Sequence, residues 1–294
     1  MMLTTYSSTT SLLDCPEFSV TVALAPVAPP PAAPPAPAGS RVTVLGVEVT
    51  DVATGQAIRL LDQWMHERNG RARCAYFVNA HTLNLAAADP EYRAVLNAAD
   101  CVFGDGTGVR WAARLRGVSL RDNVNGTDLV PALLRATASR AYHCFLLGAD
   151  RPTIHRAAQY VAEHFPGWTV AGCHDGFLGD SGRTECAIRQ INRARPDLLL
   201  VGMGNPLQER WLHDHRRHLR ASVCMAVGGL FDFWAGNFSR APVWLRRLGH
   251  EWLWRLAQQP GAKARRYLWG NPLFLMRAVR ESLAAGRWDL ASNF

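Results

Sequence analysis

The sequence predicts an α/β fold: a mostly parallel sheet with helices on both faces, followed by a C-terminal helical appendage. Three observations predict it. Between Arg41 and Gly229, short apolar runs alternate with amphipathic ones, the pattern of strands buried on both faces and each followed by a helix. Glycines cluster just after these runs, where backbone must approach a ligand closely. Beyond Ser239 the composition turns basic and tryptophan-rich, with apolar residues at four-residue steps.

Taken in order, residues 23 to 38 read ALAPVAPPPAAPPAPA, a composition that favours extended chain and cannot build a core. Residues 1–40 are therefore expected to be a disordered extension, 41–239 a catalytic α/β domain, and 240–294 an appendage. The runs RVTVLGVEV, CAYFVNA, DCVFGD, YHCFLLGA, TVAGC, DLLLVGMG and VCMAVGG read as strands. Helical patterns lie near 54–68, 82–98, 127–139, 150–164, 183–195 and 206–219. Pattern alone does not supply the strand order.

At 294 residues and 48% hydrophobic, the chain can bury a full core. Its seven cysteines show no CxxC spacing and mostly lie in apolar runs, which suits a reducing cytoplasm better than a disulfide framework. No run approaches the roughly 20 apolar residues of a membrane span, and the first residues lack the order of a secretion signal. The expected location is cytoplasmic. The formal charge of +8 is concentrated at the end: from Arg240 onward, ten basic residues face three acids, a net of +7.

The residues just after the strands carry the chemistry. In FGDGTG, Phe103 to Gly108, a carboxylate stands between glycines at the end of a strand. It reads either as a turn or as a base or ligand holder beside exposed backbone N–H groups. It does not fit a dinucleotide fingerprint, and no GxxxxGK[ST] loop occurs anywhere. In GMGNPLQERW, Gly202 to Trp211, Pro206 opens a helix. Its free N–H groups and the Gln208 amide are expected to face the crevice, where a diphosphate could bind. HDHRRH, His213 to His218, does not place three imidazoles on one helical face and reads as solvated surface. No Asp-x-Asp pair occurs, so no metal or other cofactor is expected. In the appendage, Trp244, Leu248, Trp252 and Leu256 form an apolar stripe beside Arg247, Glu251 and Arg255. Five tryptophans among ten basic residues point to a membrane surface with anionic lipid rather than to nucleic acid.

Taken together, DGTGV, NGTDL, FLLGA, GMGNPLQERW, VGGLFDFWAG, RAP and EWLWRL resemble the WecG/TagA/CpsF family of bacterial glycosyltransferases, over about Val42 to Leu268. The resemblance implies a Rossmann-like core and an appendage that meets the membrane. It also implies inverting transfer of a sugar from a UDP-sugar donor to a polyprenyl-diphosphate-linked acceptor, in cell-surface polysaccharide synthesis. By the same resemblance Asp105 is the general base, Asn79 and Gln208 line the site, and Arg255 helps hold the leaving diphosphate. Gly106, Thr107, Asn125, Gly204, Asp232, Arg240 and Arg265 complete the expected substrate-binding set. Phe77 stands where the family often has Thr, Asn123 where it commonly has Arg, and an appendage Arg is replaced around Ala262. The departures at Phe77 and Asn123 favour a glucose-type donor over an N-acetylmannosamine type. A nucleotide-dependent oxidoreductase and a non-catalytic surface binder are the alternatives, and a homo-oligomer is compatible with the apolar stripe.

Overall fold

The computed structural model describes residues 40–68, 70–242, 244–245 and 251–284, apart from the side chains of Ala262 and Lys263. The expected extension, Ser40 excepted, and Leu248 and Arg247 of the expected stripes lie outside the described residues.

Eight strands form one sheet in the order β1-β2-β4-β3-β8-β7-β5-β6. β1 (Ser40–Val44) and β2 (Val47–Asp51) pair antiparallel. The sequence reading ran them together as one strand. The turn between them is Leu45-Gly46, at φ 49° and 76°, a left-handed pair whose twist suits a two-residue hairpin. The other strands are parallel: β3 (Arg73–Val78), β4 (Cys101–Gly104), β5 (His143–Gly148), β6 (Thr169–His174), β7 (Leu198–Gly202) and β8 (Val223–Ala226). The chain runs from β3 outward to β4. It then crosses to the far half of the sheet and returns to lay β8 beside β3. The border of β3 and β8 is thus where the two halves meet, and such a reversal opens a crevice over the carboxyl ends of the strands.

Alternate residues of β3 face opposite cores, as a pleated strand requires. Cys74, Tyr76 and Val78 pack with α2 (Ala80–Ala88), α3 (Pro90–Asn97), α4 (Thr107–Leu115), α7 (Ser181–Ala194) and α8 (Leu207–His215). Ala75 and Phe77 pack with α1 (Thr54–Glu67), α5 (Gly126–Ala136), α6 (Arg151–His164) and α9 (Leu230–Trp234). The helical pattern over 82–98 is in fact two helices. Asp89 ends one and caps the next by accepting from the Tyr92 N–H at 3.0 Å, with Pro90 just inside.

The segment after Ser239 holds α10 (Glu251–Gln258), α11 (Pro260–Ala264), a π-helical turn (Arg265–Trp269) and α12 (Gly270–Ala284). α12 lies against α2 and α4, with Phe274, Ala278 and Ser282 buried. Polar ties seal it. The Asn84 amide donates to the Gly270 carbonyl at 2.7 Å, Arg277 donates to the Asn84 carbonyl at 2.9 Å, and Glu281 accepts from the Leu45 N–H at 2.9 Å. α12, within the expected appendage, is therefore built into one face of the sheet domain.

Candidate functional site

Three strands that border the crevice end in glycine or lead into it, and their loops touch backbone to backbone. A Cβ on Gly148 would stand 2.3 Å from the Gly202 carbonyl oxygen, and one on Gly202 would stand 2.7 Å from that of Gly228. Only glycine permits this approach, which brings the loops after β5, β7 and β8 around one cleft of about 460 Å³. Its other wall comes from Phe77, Asn79 and Asp105 at the ends of β3 and β4.

A second cleft, of about 620 Å³, opens on the far side of Asp105. The Gly106–Gly108 loop and Arg110, Trp111 and Arg114 of α4 form one wall. Glu251, Trp252, Tyr267, Phe274 and Leu275 form the other. Asn79, His81, Asp105, Thr127, Arg255 and Arg266 line both clefts.

Asp105 is placed by its main chain. Its N–H donates to the Val78 carbonyl at 2.8 Å, and the next N–H, of Gly106, donates to the Asn123 side-chain oxygen at 2.6 Å. Gly106 has φ 96°, so the turn itself demands glycine although a Cβ there would touch nothing. Asn79 caps α2, its Oδ1 accepting from the N–H groups of His81 and Thr82 at 3.1 and 3.2 Å. Its side chain lies near enough to the Asp105 carboxyl to favour the charged form. Asp105 keeps some solvent access through the clefts, yet protein surrounds the carboxyl. That burial raises its pKa above the ordinary carboxylate value. Arg255, Asn79 and Arg266 pull it down, and Glu251 pushes it up. A raised pKa makes the deprotonated carboxylate a stronger proton acceptor than a free aspartate.

Two cations face Asp105. Arg255 lies with its guanidinium 4.8 Å from the centre of the Phe233 ring and 3.4 Å from Glu251. Arg266 donates to Asn79 Oδ1 at 3.3 Å, while its buried Nε has no partner. Burial lowers the Arg266 pKa, the cost of holding a guanidinium inside. The resemblance pointed to Arg265 instead. Arg265 is exposed and borders a shallow outer hollow with Ala264, Leu268 and Trp269. Both residues open the π-helical turn, Arg265 on its exposed side and Arg266 on the side of the clefts.

The remaining expected residues fall into three groups. Asp232 and Gly204 line the first cleft; Asp232 also accepts from the Asn237 amide at 3.0 Å, and Gly204 sits at φ 84°. Thr107 and Asn125 line the second, and Asn125 caps α5 by accepting from the Asp128 N–H at 2.8 Å. Arg240 lines neither cleft. It donates to the Thr127 carbonyl at 3.0 Å and pairs with Asp128 at 3.0 Å and Glu251 at 3.4 Å, so it straps the start of α10 to the start of α5.

Gln208 reaches the first cleft, but its amide is not free to hold a ligand as expected. It is 1% exposed, its Oε1 accepts from the N–H groups of Gly204 and Gly228 at 3.3 and 3.0 Å, and its Nε2 donates to Glu209 at 2.7 Å. The exposed imidazoles of His213 and His218 remain surface groups. Among the described residues, no group of three or more His, Cys, Asp and Glu could hold a metal ion.

The sequence reading missed Arg266, Glu209 and Trp111 as site elements. Only the Arg265-Arg266 pair carried a signal, and the two are chemically alike. Glu209 looked like an ordinary acid at a helix start, yet it is wholly buried.

The family model described as "Glycosyl transferase WecG/TagA/CpsF family" matches residues 42–287. Among curated proteins, the chain is 36% identical over 202 residues to an N-acetylglucosaminyldiphosphoundecaprenol N-acetyl-beta-D-mannosaminyltransferase of Bacillus spizizenii, covering 69% of this chain and 77% of that one. It is 34% identical over 183 residues to a protein of the same name in Bacillus subtilis, covering 62% and 70%. A third, from Staphylococcus aureus, is 27% identical over 216 residues, covering 74% and 84%. With a family match along nearly the whole described body, and its motifs gathered around Asp105, the chain belongs to the WecG/TagA/CpsF family of glycosyltransferases.

Proposed function

We propose that this glycosyltransferase moves a sugar from a UDP-sugar to a polyprenyl-diphosphate-linked saccharide with inversion, in cell-surface polysaccharide synthesis. The observation that carries the reading is the position of Asp105 between two clefts. The first, bounded by glycine loops and helix starts, suits a nucleotide diphosphate. The second, with Trp111, Phe274 and Leu275 in its walls, suits a saccharide followed by lipid. An acceptor hydroxyl entering from the second cleft attacks the anomeric carbon on the face opposite UDP. The carbon–oxygen bond to the diphosphate breaks, UDP departs with its electron pair, and the hydroxyl proton passes to Asp105. Asn79 orients the carboxyl. Arg255 and Arg266 balance charge on the leaving diphosphate, so the step proceeds without a divalent cation.

The names of the relatives support an N-acetylmannosaminyl donor on an N-acetylglucosamine-bearing acceptor. A glucose donor is the second reading, favoured by the apolar wall that Phe77 presents to the first cleft. The protein works at the inner face of the plasma membrane in this account. Among the described residues no helix is long and apolar enough to cross a membrane. The outer surface of the C-terminal segment instead exposes Leu268, Trp269, Met276 and Leu283, beside exposed Arg265. Such a surface suits shallow insertion into anionic lipid.

The test is a donor screen with purified protein, UDP-N-acetylmannosamine and UDP-glucose, against polyprenyl-diphosphate acceptors bearing N-acetylglucosamine or glucose. A product with the anomeric configuration inverted relative to the donor is expected. A product of retained configuration, or transfer to water alone, contradicts the reading.

A further inference from the structure

The geometry points to Glu209 as a positioning residue: its buried carboxylate fixes which way the Gln208 amide faces, and that amide sets the spacing of the two glycine loops around the donor cleft. The inference rests on the reading of the first cleft as the UDP-sugar site.

Glu209 is 0% exposed and touches neither cleft. Its Oε1 accepts from the side-chain amides of Asn205 at 2.6 Å and Gln208 at 2.7 Å, and its Oε2 accepts from the Tyr92 hydroxyl at 3.1 Å. Two further contacts enclose it. The Tyr76 hydroxyl donates to the Glu209 carbonyl at 3.3 Å, and Arg210 packs against the Tyr92 ring while paired with Asp89 at 2.6 Å. A carboxylate only accepts, so it forces the Gln208 amide to present its NH₂ inward and its carbonyl oxygen outward. That oxygen takes the N–H groups of Gly204, after β7, and Gly228, after β8. Both glycines have positive φ, 84° and 56°. One side chain thereby ties the two loops together, beside the Val227 N–H that donates to the Val201 carbonyl at 2.8 Å, and both glycines line only the first cleft.

Burial pushes the Glu209 pKa up to about 7. The neutral acid still fits, because the Tyr92 hydroxyl can turn to accept a proton on Oε2 while Oε1 goes on accepting from both amides. A glutamine at 209 reproduces that neutral arrangement, and a leucine removes it.

The experiment measures UDP binding by calorimetry and steady-state KM values for donor and acceptor in wild type, Glu209→Gln, Glu209→Leu and Gln208→Met. Glu209→Gln is expected to bind UDP within about threefold of wild type, and Glu209→Leu to bind at least about tenfold more weakly, with the acceptor KM unchanged. Should Glu209→Leu not fold, Gln208→Met keeps Glu209 bonded to Asn205 and Tyr92 and is expected to show the same loss. Wild-type affinity in Gln208→Met, a Glu209→Gln loss equal to that of Glu209→Leu, or an acceptor KM that rises in step with the donor KM overturns the positioning role. Failure of the wild type itself to bind UDP is a different result: it overturns the donor-site reading and this inference with it.

Discussion

At the scale of single residues, the proposed chemistry depends on the carboxyl of Asp105, whose pKa burial raises. Burial disfavours the charged form of Asp105, and the nearest compensating charges are Arg255 and Arg266. A general base acts only when deprotonated, so turnover is lost as pH falls through its folded pKa. Because that pKa lies above the ordinary value, the acidic limb of kcat is expected at higher pH than for a free aspartate. Removing a cation raises the pKa further. Arg266→Gln should therefore move the acidic limb upward as well as weaken UDP binding, whereas Arg265→Gln, at the outer hollow, should leave the limb in place. A pH–rate series on both variants checks this, and an unshifted limb in Arg266→Gln contradicts it. The sequence showed Asp105, Asn79 and Arg255 because each stands in a motif or at a strand end. It did not show the Gln208 amide already engaged, since the partners are a neighbouring acid and two glycine N–H groups from different loops.

At the scale of elements, the alternation of apolar and amphipathic runs made the parallel sheet and most helices legible. What it hid has local causes. Leu45-Gly46 interrupts an alternating run by only two residues, so a hairpin looked like one strand. Arg265 and Arg266 are adjacent and chemically alike, so the sequence alone did not separate the exposed one from the one at the clefts. The sequence reading placed α12 in a peripheral appendage, and its buried residues are Phe274, Ala278 and Ser282. Yet the Phe274 ring lies 3.4 Å from where a Gly108 Cβ would be, beside the turn that follows Asp105. Phe274→Ala is expected to cost about 3–5 kcal/mol by the usual large-to-small core penalty, seen as a lower denaturation midpoint. It should also lower kcat by loosening the wall behind Gly106–Gly108. Unchanged stability would show that α12 does not pack as described.

At the scale of the whole molecule, one cleft faces the glycine loops, the other faces an apolar and basic C-terminal surface, and Asp105 stands between them. In the proposed function, a nucleotide-bound donor and a lipid-borne acceptor reach one carboxylate from different sides. Trp269, 78% exposed, is expected to enter the interface, so Trp269→Glu should reduce sedimentation with phosphatidylglycerol vesicles several-fold while leaving UDP affinity unchanged. Equal sedimentation would argue against this surface as the membrane contact. A chelator should leave turnover unaltered, since arginine carries the diphosphate charge in the proposed step; strict dependence on added magnesium or manganese would contradict that assignment. The most direct test of the whole account is Asp105→Asn, assayed for single-turnover sugar transfer alongside UDP binding. The account predicts near-wild-type UDP affinity with transfer reduced by about 10²–10⁴-fold. Transfer near the wild-type rate would contradict it.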